Sequence, residues 1–304
     1  LVWLMSALLR SKISFRWWKR LHLLPYFVMP LIFVHSFGLA NILQGGLRYY
    51  WYLLVVIALA LSIYRLLTAA GLLKFYYQVV GVTDVTPNVK RFILAPLGGK
   101  VMSPQPGQFL YIQTKRFGET HPFTISHLDN QTGELSITAK SAGYFTQQLH
   151  KLKAGDRVFI TGPYGVFTRE AYTTKRQIAL VAGGIGITPF LQIIERLHGG
   201  WDQQITLFYG NRTIGDIAFG DYLNDLVQEY PEQLKLVNVL SGEPDYEGET
   251  GFVSLELIQR YLTEQTNSYE YFVCGPQVMM DKVSSALLAA GVPKAQVHME
   301  KFSL

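Results

Sequence analysis

The sequence predicts three parts: an α-helical membrane segment, a small antiparallel β-barrel and a doubly wound parallel α/β domain. Residues 1–74 combine long apolar runs with eight Lys/Arg and no acidic residue. Residues 75–173 contain short β-rich runs separated by Gly, Pro and Asp, a pattern that is typical of a barrel. In residues 174–304, single strand-like and helix-like runs alternate, which predicts a parallel sheet with helices on both faces.

The net charge of +5 belongs to the membrane segment. Residues 75–304 carry 19 basic and 22 acidic residues, a net charge of −3, so a surface for nucleic acid is excluded. Membrane lipid is instead the predicted partner of the basic, apolar first quarter. The one cysteine, Cys274, allows no internal disulfide, which fits a reducing compartment.

Two stretches are long enough to cross a bilayer. Residues 21–40 carry no formal charge, and about 20 apolar residues suffice for a spanning helix. Residues 49–64 are also uncharged, and the apolar character continues beyond Arg65, whose side chain can reach the interface. Five Lys/Arg lie in residues 10–20 and one in the opposite loop. This bias predicts a multi-pass protein of the plasma membrane with residues 75–304 in the cytoplasm.

Two histidines, His22 and His35, interrupt the first stretch. A histidine near the end of a span can lie at the interface or in a wet cavity. The alternative is ligation of haem b, because buried ionisable groups in membranes are costly and imidazole binds haem iron. Thirteen residues of helix separate the two side chains by about 20 Å, which suits two stacked haems. No other histidine precedes His121.

Two segments of the predicted barrel stand out, HPFTIS beginning at His121 and KSAGYFT beginning at Lys140. The second segment offers a cation, a flexible turn and hydroxyl groups, which suit a pyrophosphate. A barrel corner with ordinary turn chemistry is the alternative. The candidate residues of this second segment are Lys140, Ser141, Gly143 and Thr146.

A glycine-rich turn, GGIGITP, follows the first strand of the α/β part. Glycines let the backbone approach phosphates, and a helix N-terminus supplies N–H donors. The next strand ends in YGNRT without an acidic residue, and Arg212 there favours the ribose 2′-phosphate of NADPH unless it is a solvated loop residue. The candidate residues of the turn are Gly183, Gly184, Gly186, Thr188 and Pro189.

The last buried strand of the series ends at Cys274, Gly275 and Pro276. Ligands of open parallel sheets bind outside the carboxyl ends of the strands. We therefore expect Cys274 to lie near the nicotinamide.

Six motifs keep the order seen in the ferredoxin–NADP reductase superfamily: HPFTIS, residues 140–146, GPYG, VAGGIGITP, YGNR and VCGP. With two histidines in an apolar run ahead of them, the chain resembles the ferric reductase and NADPH oxidase family, above all its bacterial members. The resemblance implies FAD in the barrel, NADPH in the α/β part and haem b in the membrane. Electrons would pass through these groups in that order, from NADPH to molecular oxygen or ferric iron.

The resemblance also implies roles for individual residues. His121 would contact the FAD pyrophosphate, Phe123 would pack along the flavin, and Thr124 would bond near its reactive nitrogen. Pro122, between them, would also belong to the cofactor-binding residues. Many of these reductases have arginine in place of His121, so the grip on FAD would be weaker and pH-dependent. Phe302 resembles the aromatic residue that covers the flavin, although a core role in a last strand fits equally. The catalytic residues implied are Thr124, Cys274 and Phe302.

The family has six spans, whereas this chain has two and the tail of another. Two further functions remain open. An anchored reductase without haem would pass electrons from FAD to a cytoplasmic acceptor. A membrane-tethered nucleotide sensor would bind the same ligands without turnover.

Overall fold

The structure is a computed structural model that describes residues 17–18, 21, 24–38, 47–69, 74–98, 101–115, 118–201 and 203–300. Two of the predicted site residues, His22 and Phe302, lie outside these ranges. The chain divides into two compact units, Leu1–Leu73 and Lys74–Leu304.

The first unit contains two helices, α1 (Pro25–Gly38) and α2 (Leu47–Ala69). They touch where the rings of Phe33 and Trp51 meet edge to face, with centroids 4.8 Å apart. The window Arg48–Thr68 of α2 has a mean hydropathy of 1.9, and its residues other than Ala58 are exposed or half-buried. By length and composition, it is the one helix in the described ranges that qualifies for crossing a membrane.

The structure thus gives one helix of spanning length where the sequence predicts two. Helix α1 has 14 residues, fewer than the roughly 20 that a bilayer requires. Proline at its first position lacks a backbone donor, and glycine at its last position favours termination. The predicted multi-span segment is therefore not supported within the described residues.

The second unit begins with a closed barrel of six antiparallel strands in the order β1-β2-β5-β4-β3-β6, as predicted. Side chains at alternate positions point inward, so Tyr77, Phe92, Leu110 and Ile137 are fully buried in one core. A short helix, α3 (Tyr144–Leu149), connects β5 to β6. The strands are β1 (Phe75–Thr86), β2 (Val89–Pro96), β3 (Phe109–Gln113), β4 (His121–Leu128), β5 (Leu135–Lys140) and β6 (Arg157–Tyr164).

The rest of the second unit is a parallel sheet with the strand order β10-β9-β8-β7-β11-β12. The strands are β7 (Gln177–Gly183), β8 (Ile205–Asn211), β9 (Leu234–Leu240), β10 (Glu249–Thr250), β11 (Tyr269–Cys274) and β12 (Val297–Glu300). The chain starts at β7, adds strands on one side and then returns to add β11 on the other. The order therefore reverses between β7 and β11, which is where such sheets bind ligands.

Helices cover both faces of this sheet. Helices α4 (Thr188–Ile194) and α5 (Gly220–Glu229) pack on one face, and α6 (Leu255–Tyr261) and α7 (Gln277–Ala289) pack on the other. Residues of β7 alternate between the two cores, with Leu180 in one and Val181 in the other. The doubly wound arrangement is confirmed.

Candidate functional site

A cavity of about 500 Å³ opens at the carboxyl ends of the parallel strands. Its walls come from the turns after β7, β8, β9 and β11, from the start of α7, and from two residues of the barrel. The lining residues are Asn88, Lys140, Gly183, Gly184, Gly210, Asn211, Arg212, Asp216, Ser241, Gly251, Phe252, Val253, Pro276, Val278, Met279 and Lys282.

The glycine-rich turn packs directly against the turn after β11. A Cβ added at Gly183 would lie 2.7 Å from Pro276 Cδ, and one at Gly186 would overlap the carbonyl of Cys274. Gly275 has φ +157, and a Cβ added there would lie 2.9 Å from the Cα atom of Gly183. These glycines are therefore required for contact between the two turns. The sequence alone assigned Gly183 and Gly186 to contact with phosphate.

Gly184 is different, because it has φ +53 and a Cβ there would meet open space. It begins a 3₁₀ turn over Gly184–Ile187, and α4 starts only after that turn. The hydroxyl of Thr188 donates to the carbonyl of Ile185 at 3.1 Å and closes the turn. Pro189 follows in the first turn of the helix, where proline is well tolerated.

Arg212 follows β8 and lines the cavity with an exposed side chain. Its carbonyl oxygen accepts a hydrogen bond from the Gly242 N–H at 2.8 Å. A Cβ at Gly242 would lie 2.9 Å from Arg212 Cγ, so glycine is needed there for the arginine stem to pack. The loop also brings Asp216 to the cavity, where its carboxylate accepts a hydrogen bond from the Thr213 hydroxyl at 2.9 Å.

In the barrel, three rings form a stacked group. The rings of His121 and Phe145 are stacked with centroids 4.0 Å apart, and Phe123 lies 6.2 Å from Phe145. Pro122 lies between His121 and Phe123 in β4 and is paired with Tyr111 of β3. Half-buried His121 therefore presents a flat surface beside the segment that follows β5.

The segment after β5 is held by one hydroxyl group. Thr146 Oγ1 accepts hydrogen bonds from the N–H groups of Ala142 and Gly143 and donates to the Gly143 carbonyl, each at 2.9 Å. Ser141 is fixed separately, because its N–H donates to the Asn88 carbonyl at 2.8 Å. The Thr146 hydroxyl thus shapes the turn, while Lys140 extends into the cavity of the sheet.

Thr124 carries an unsatisfied polar atom. Its side chain is 3% exposed, and its hydroxyl has no hydrogen-bond partner among the described residues. Such groups are costly to bury and normally find a partner. An acceptor or donor atom of a bound ring would supply that partner, so the site fits a flavin.

Glu300, which the sequence patterns did not single out, lies beside the same region. Phe109 is opposite Thr124 in the β3–β4 pair. Gly165, which directly follows β6, lies close to both Phe109 and Glu300. A Cβ added at Gly165 would lie 3.0 Å from Phe109 Cδ1 and 3.7 Å from Glu300 Oε1. The carboxylate at the end of β12 thus reaches the barrel near the buried threonine.

Glu300 and Cys274 are neighbours in the register of β11 and β12. Burial raises the pKa of Glu300 to about 7, and its second carboxylate oxygen has no partner among the described residues. Burial, and then the charge of Glu300, raise the pKa of the Cys274 thiol well above its usual range. Cys274 is therefore a neutral thiol, and Glu300 is the group that titrates near neutral pH.

His35 is exposed in the last turn of α1. Among the described residues, no group of three or more His, Cys, Asp and Glu side chains is arranged to hold a metal ion. The ligation of two separate haems by His22 and His35 stays a prediction, because His22 lies outside the described ranges and the residues that the structure describes give no support for haem.

Two family profiles match the second unit. The oxidoreductase FAD-binding domain matches residues 77–168, and the oxidoreductase NAD-binding domain matches residues 180–285. The NADH-cytochrome b5 reductase 1 of Lodderomyces elongisporus is 32% identical over 231 residues, which are 72% of this chain and 76% of the relative. The chain belongs to this family of FAD- and NAD-binding reductases.

Two further matches to the reductase carry different names. The phenol hydroxylase P5 protein of Acinetobacter pittii is 28% identical and aligns with 74% of this chain, which spans 64% of that relative. The solved structure titled ferredoxin reductase in carbazole 1,9a-dioxygenase has a TM-score of 0.64 at 25% identity. The match covers 76% of this chain and 69% of the chain in that structure. The reductase is thus an oxidoreductase with an FAD-binding barrel and an NAD(P)-binding sheet.

These findings confirm the ferredoxin–NADP reductase-like part of the predicted resemblance. They give no support to the haem-binding or NADPH oxidase part, because both profiles begin after residue 76. Sequence patterns also missed Glu300, Phe252 and Lys282. Among these three residues, only Glu300 had a signal in the sequence, because its carboxylate ends the short strand VHME.

Proposed function

We propose that the reductase transfers a hydride from NADPH to FAD and passes the two electrons singly to an acceptor. The observation that carries this proposal is the cavity shared by the barrel residue Lys140 and the glycine turns of the sheet. A nucleotide bound there would lie between the sheet and the barrel. FAD, when bound, supplies the conversion of a two-electron donor into one-electron steps.

Residues of the barrel support FAD binding. The stacked rings of His121 and Phe145 offer a flat surface, and the unpaired hydroxyl of Thr124 offers one polar contact inside an otherwise apolar wall. In this proposal, His121 faces the phosphates of FAD, Phe123 lies along the flavin, and Thr124 bonds to the ring. Lys140 lines the cavity of the sheet and faces the second nucleotide instead.

Residues of the sheet support nucleotide binding. The backbone N–H groups of the turn at Gly184 and the cations Lys140 and Arg212 suit a dinucleotide pyrophosphate and phosphate. Phe252 is 82% exposed at the rim of the cavity, where its ring can stack on the adenine. Near Cys274, the carboxyl group of Glu300 can hold or release a proton close to the reacting ring, because its pKa of about 7 allows both states.

The finer proposal places the acceptor across a plasma membrane, with electrons passing to haem b and then to molecular oxygen or ferric iron. The spanning-length helix Arg48–Thr68 and the apolar helix that carries His35 support it. The fit is incomplete, because residues 1–120 contain only His22 and His35, whereas two haems with two histidines each need four ligands.

A second candidate acceptor is a separate redox protein, reached without haem in this chain. The names of two relatives, an NADH-cytochrome b5 reductase and a phenol hydroxylase P5 protein, support this alternative. Both proposals share the NADPH and FAD steps and differ only in where the electrons leave.

Purified protein in detergent separates the candidates. Under anaerobic conditions, NADPH should bleach the flavin absorbance in both cases, and absence of bleaching would refute the shared proposal. A sharp reduced-haem band that disappears in His35→Ala, but persists in the control His198→Ala, supports the membrane route. A flavin spectrum without haem, together with reduction of added cytochrome b5 or ferredoxin, supports the second candidate.

A further inference from the structure

A cation on α7, Lys282, lines the same cavity as Arg212. Val278, Met279 and Lys282 all line the cavity, and their spacing of three or four residues places them on one face of the helix. Arg212 approaches from a different element, the loop after β8. The cavity is therefore bordered by a positive charge on each of two walls.

The orientation of α7 is fixed by its buried face. Met280 and Val283 are each 2% exposed, and Leu287 is fully buried in the core that joins this helix to the sheet. Rotating the helix to move Lys282 away from the cavity would expose these side chains, which is unfavourable. The position of Lys282 at the cavity is consequently set by the core.

The charges of the cavity exceed what a pyrophosphate alone requires. Three cations, Lys140, Arg212 and Lys282, and one carboxylate, that of Asp216, line the cavity, which gives it a net charge of +2. Lys282 also lies six residues beyond Pro276, or about 9 Å along the helix axis, and so is far from the β11 turn. The exposed ring of Phe252, a candidate for stacking on adenine, lines the same cavity.

We propose that Lys282 binds the ribose 2′-phosphate together with Arg212 and is a specificity-determining residue for NADPH over NADH. The inference rests on the proposed function of the cavity as the nucleotide site. A 2′-phosphate adds a charge of about −1.5 to −2. The arginine fork and the lysine point charge bind such a group from two sides.

Calorimetric titration of the full-length protein with adenosine 2′,5′-bisphosphate and with 5′-AMP tests this role without turnover. In Lys282→Met we expect the Kd of the bisphosphate to rise about tenfold, or about 1.4 kcal/mol. The Kd of 5′-AMP should rise less than about twofold, because the lysine contacts only the extra phosphate. Lys282→Arg should keep the discrimination.

The matched control is Lys294→Met, which removes an exposed lysine before β12, at the opposite edge of the sheet. It should leave both Kd values at those of the wild type. Equal weakening of both ligands by Lys282→Met would overturn the inference, and so would weakening of neither. If the wild type binds neither ligand and oxidises neither NADPH nor NADH, the proposed function fails as well. If the wild type oxidises NADPH but Lys282→Met leaves both Kd values unchanged, only the inference about Lys282 is overturned and the proposed function stands.

Discussion

Replacing Glu300 by glutamine removes a partly buried carboxylate whose second oxygen lacks a partner among the described residues. Burial raises its pKa from 4.5 to about 7 in the folded protein. A carboxyl group with a raised pKa favours the folded state only while it is protonated. The wild type therefore loses stability as the pH rises from about 4.5 to about 7, whereas Glu300→Gln does not.

The size of the effect follows from the pKa. Each pH unit between the ordinary and the raised value corresponds to 1.36 kcal/mol, which gives about 3 kcal/mol as an upper value. Because the side chain is only partly shielded from water, we expect about 2 kcal/mol. For a unit of about 230 residues, this amounts to an increase in Tm of about 4–8 °C for the variant above pH 7.

Thermal unfolding of both proteins without added nucleotide, at pH 5 and at pH 8, provides the assay. The Tm of Glu300→Gln minus that of the wild type should grow by several degrees between the two pH values. Glu264→Gln, which changes an exposed carboxylate, serves as the control and should show no such growth. A Tm difference for Glu300→Gln that is the same at both pH values would refute the assignment of a buried, titrating carboxyl group.

Three further variants, with Gly199→Ala as a control for the glycine substitution, test other parts of the site. Thr124→Val removes an unpaired hydroxyl, so the apoprotein should be as stable as the wild type or about 1 kcal/mol more stable, while fluorescence titration shows a weaker affinity for FAD. Gly186→Ala places a Cβ against the Cys274 carbonyl and should cost at least about 2 kcal/mol in denaturant unfolding. Gly199→Ala meets nothing within 4 Å and should be neutral. Phe252→Ala should raise the KM for NADPH several-fold with little change in Tm, because the ring is 82% exposed.

Patterns local to the chain predicted most of the second unit. Apolar and polar residues alternate along β5 (LSITAK), and apolar residues recur at helical spacing in α5 and α7. These periods of two and 3.6 residues are visible directly in the sequence. The short strand β10 and the 3₁₀ turn over Gly184–Ile187 were missed, because neither is long enough to show a period.

Some residues of the cavity belong to local sequence segments, whereas others are brought together only by the fold. Arg212, Lys140 and the glycine turn line the cavity, and the sequence could single them out because each belongs to a recognisable local segment. Lys282, Phe252 and Glu300 belong to three elements that meet only in the folded sheet, and no spacing in the chain relates them. The glycines were found, but their contact with the turn after β11 was not.

By itself, the sequence determined the order of apolar segment, barrel and parallel sheet, since local periodicity and charge distribution report which residues avoid water. Only the tertiary structure decided that Thr124 is buried without a partner among the described residues, that Glu300 stands beside Cys274, and that cations from the loop after β8 and from α7 share one cavity. Burial and proximity between distant segments arise from packing, and packing sets both the pKa of a carboxyl group and the charge of a cavity.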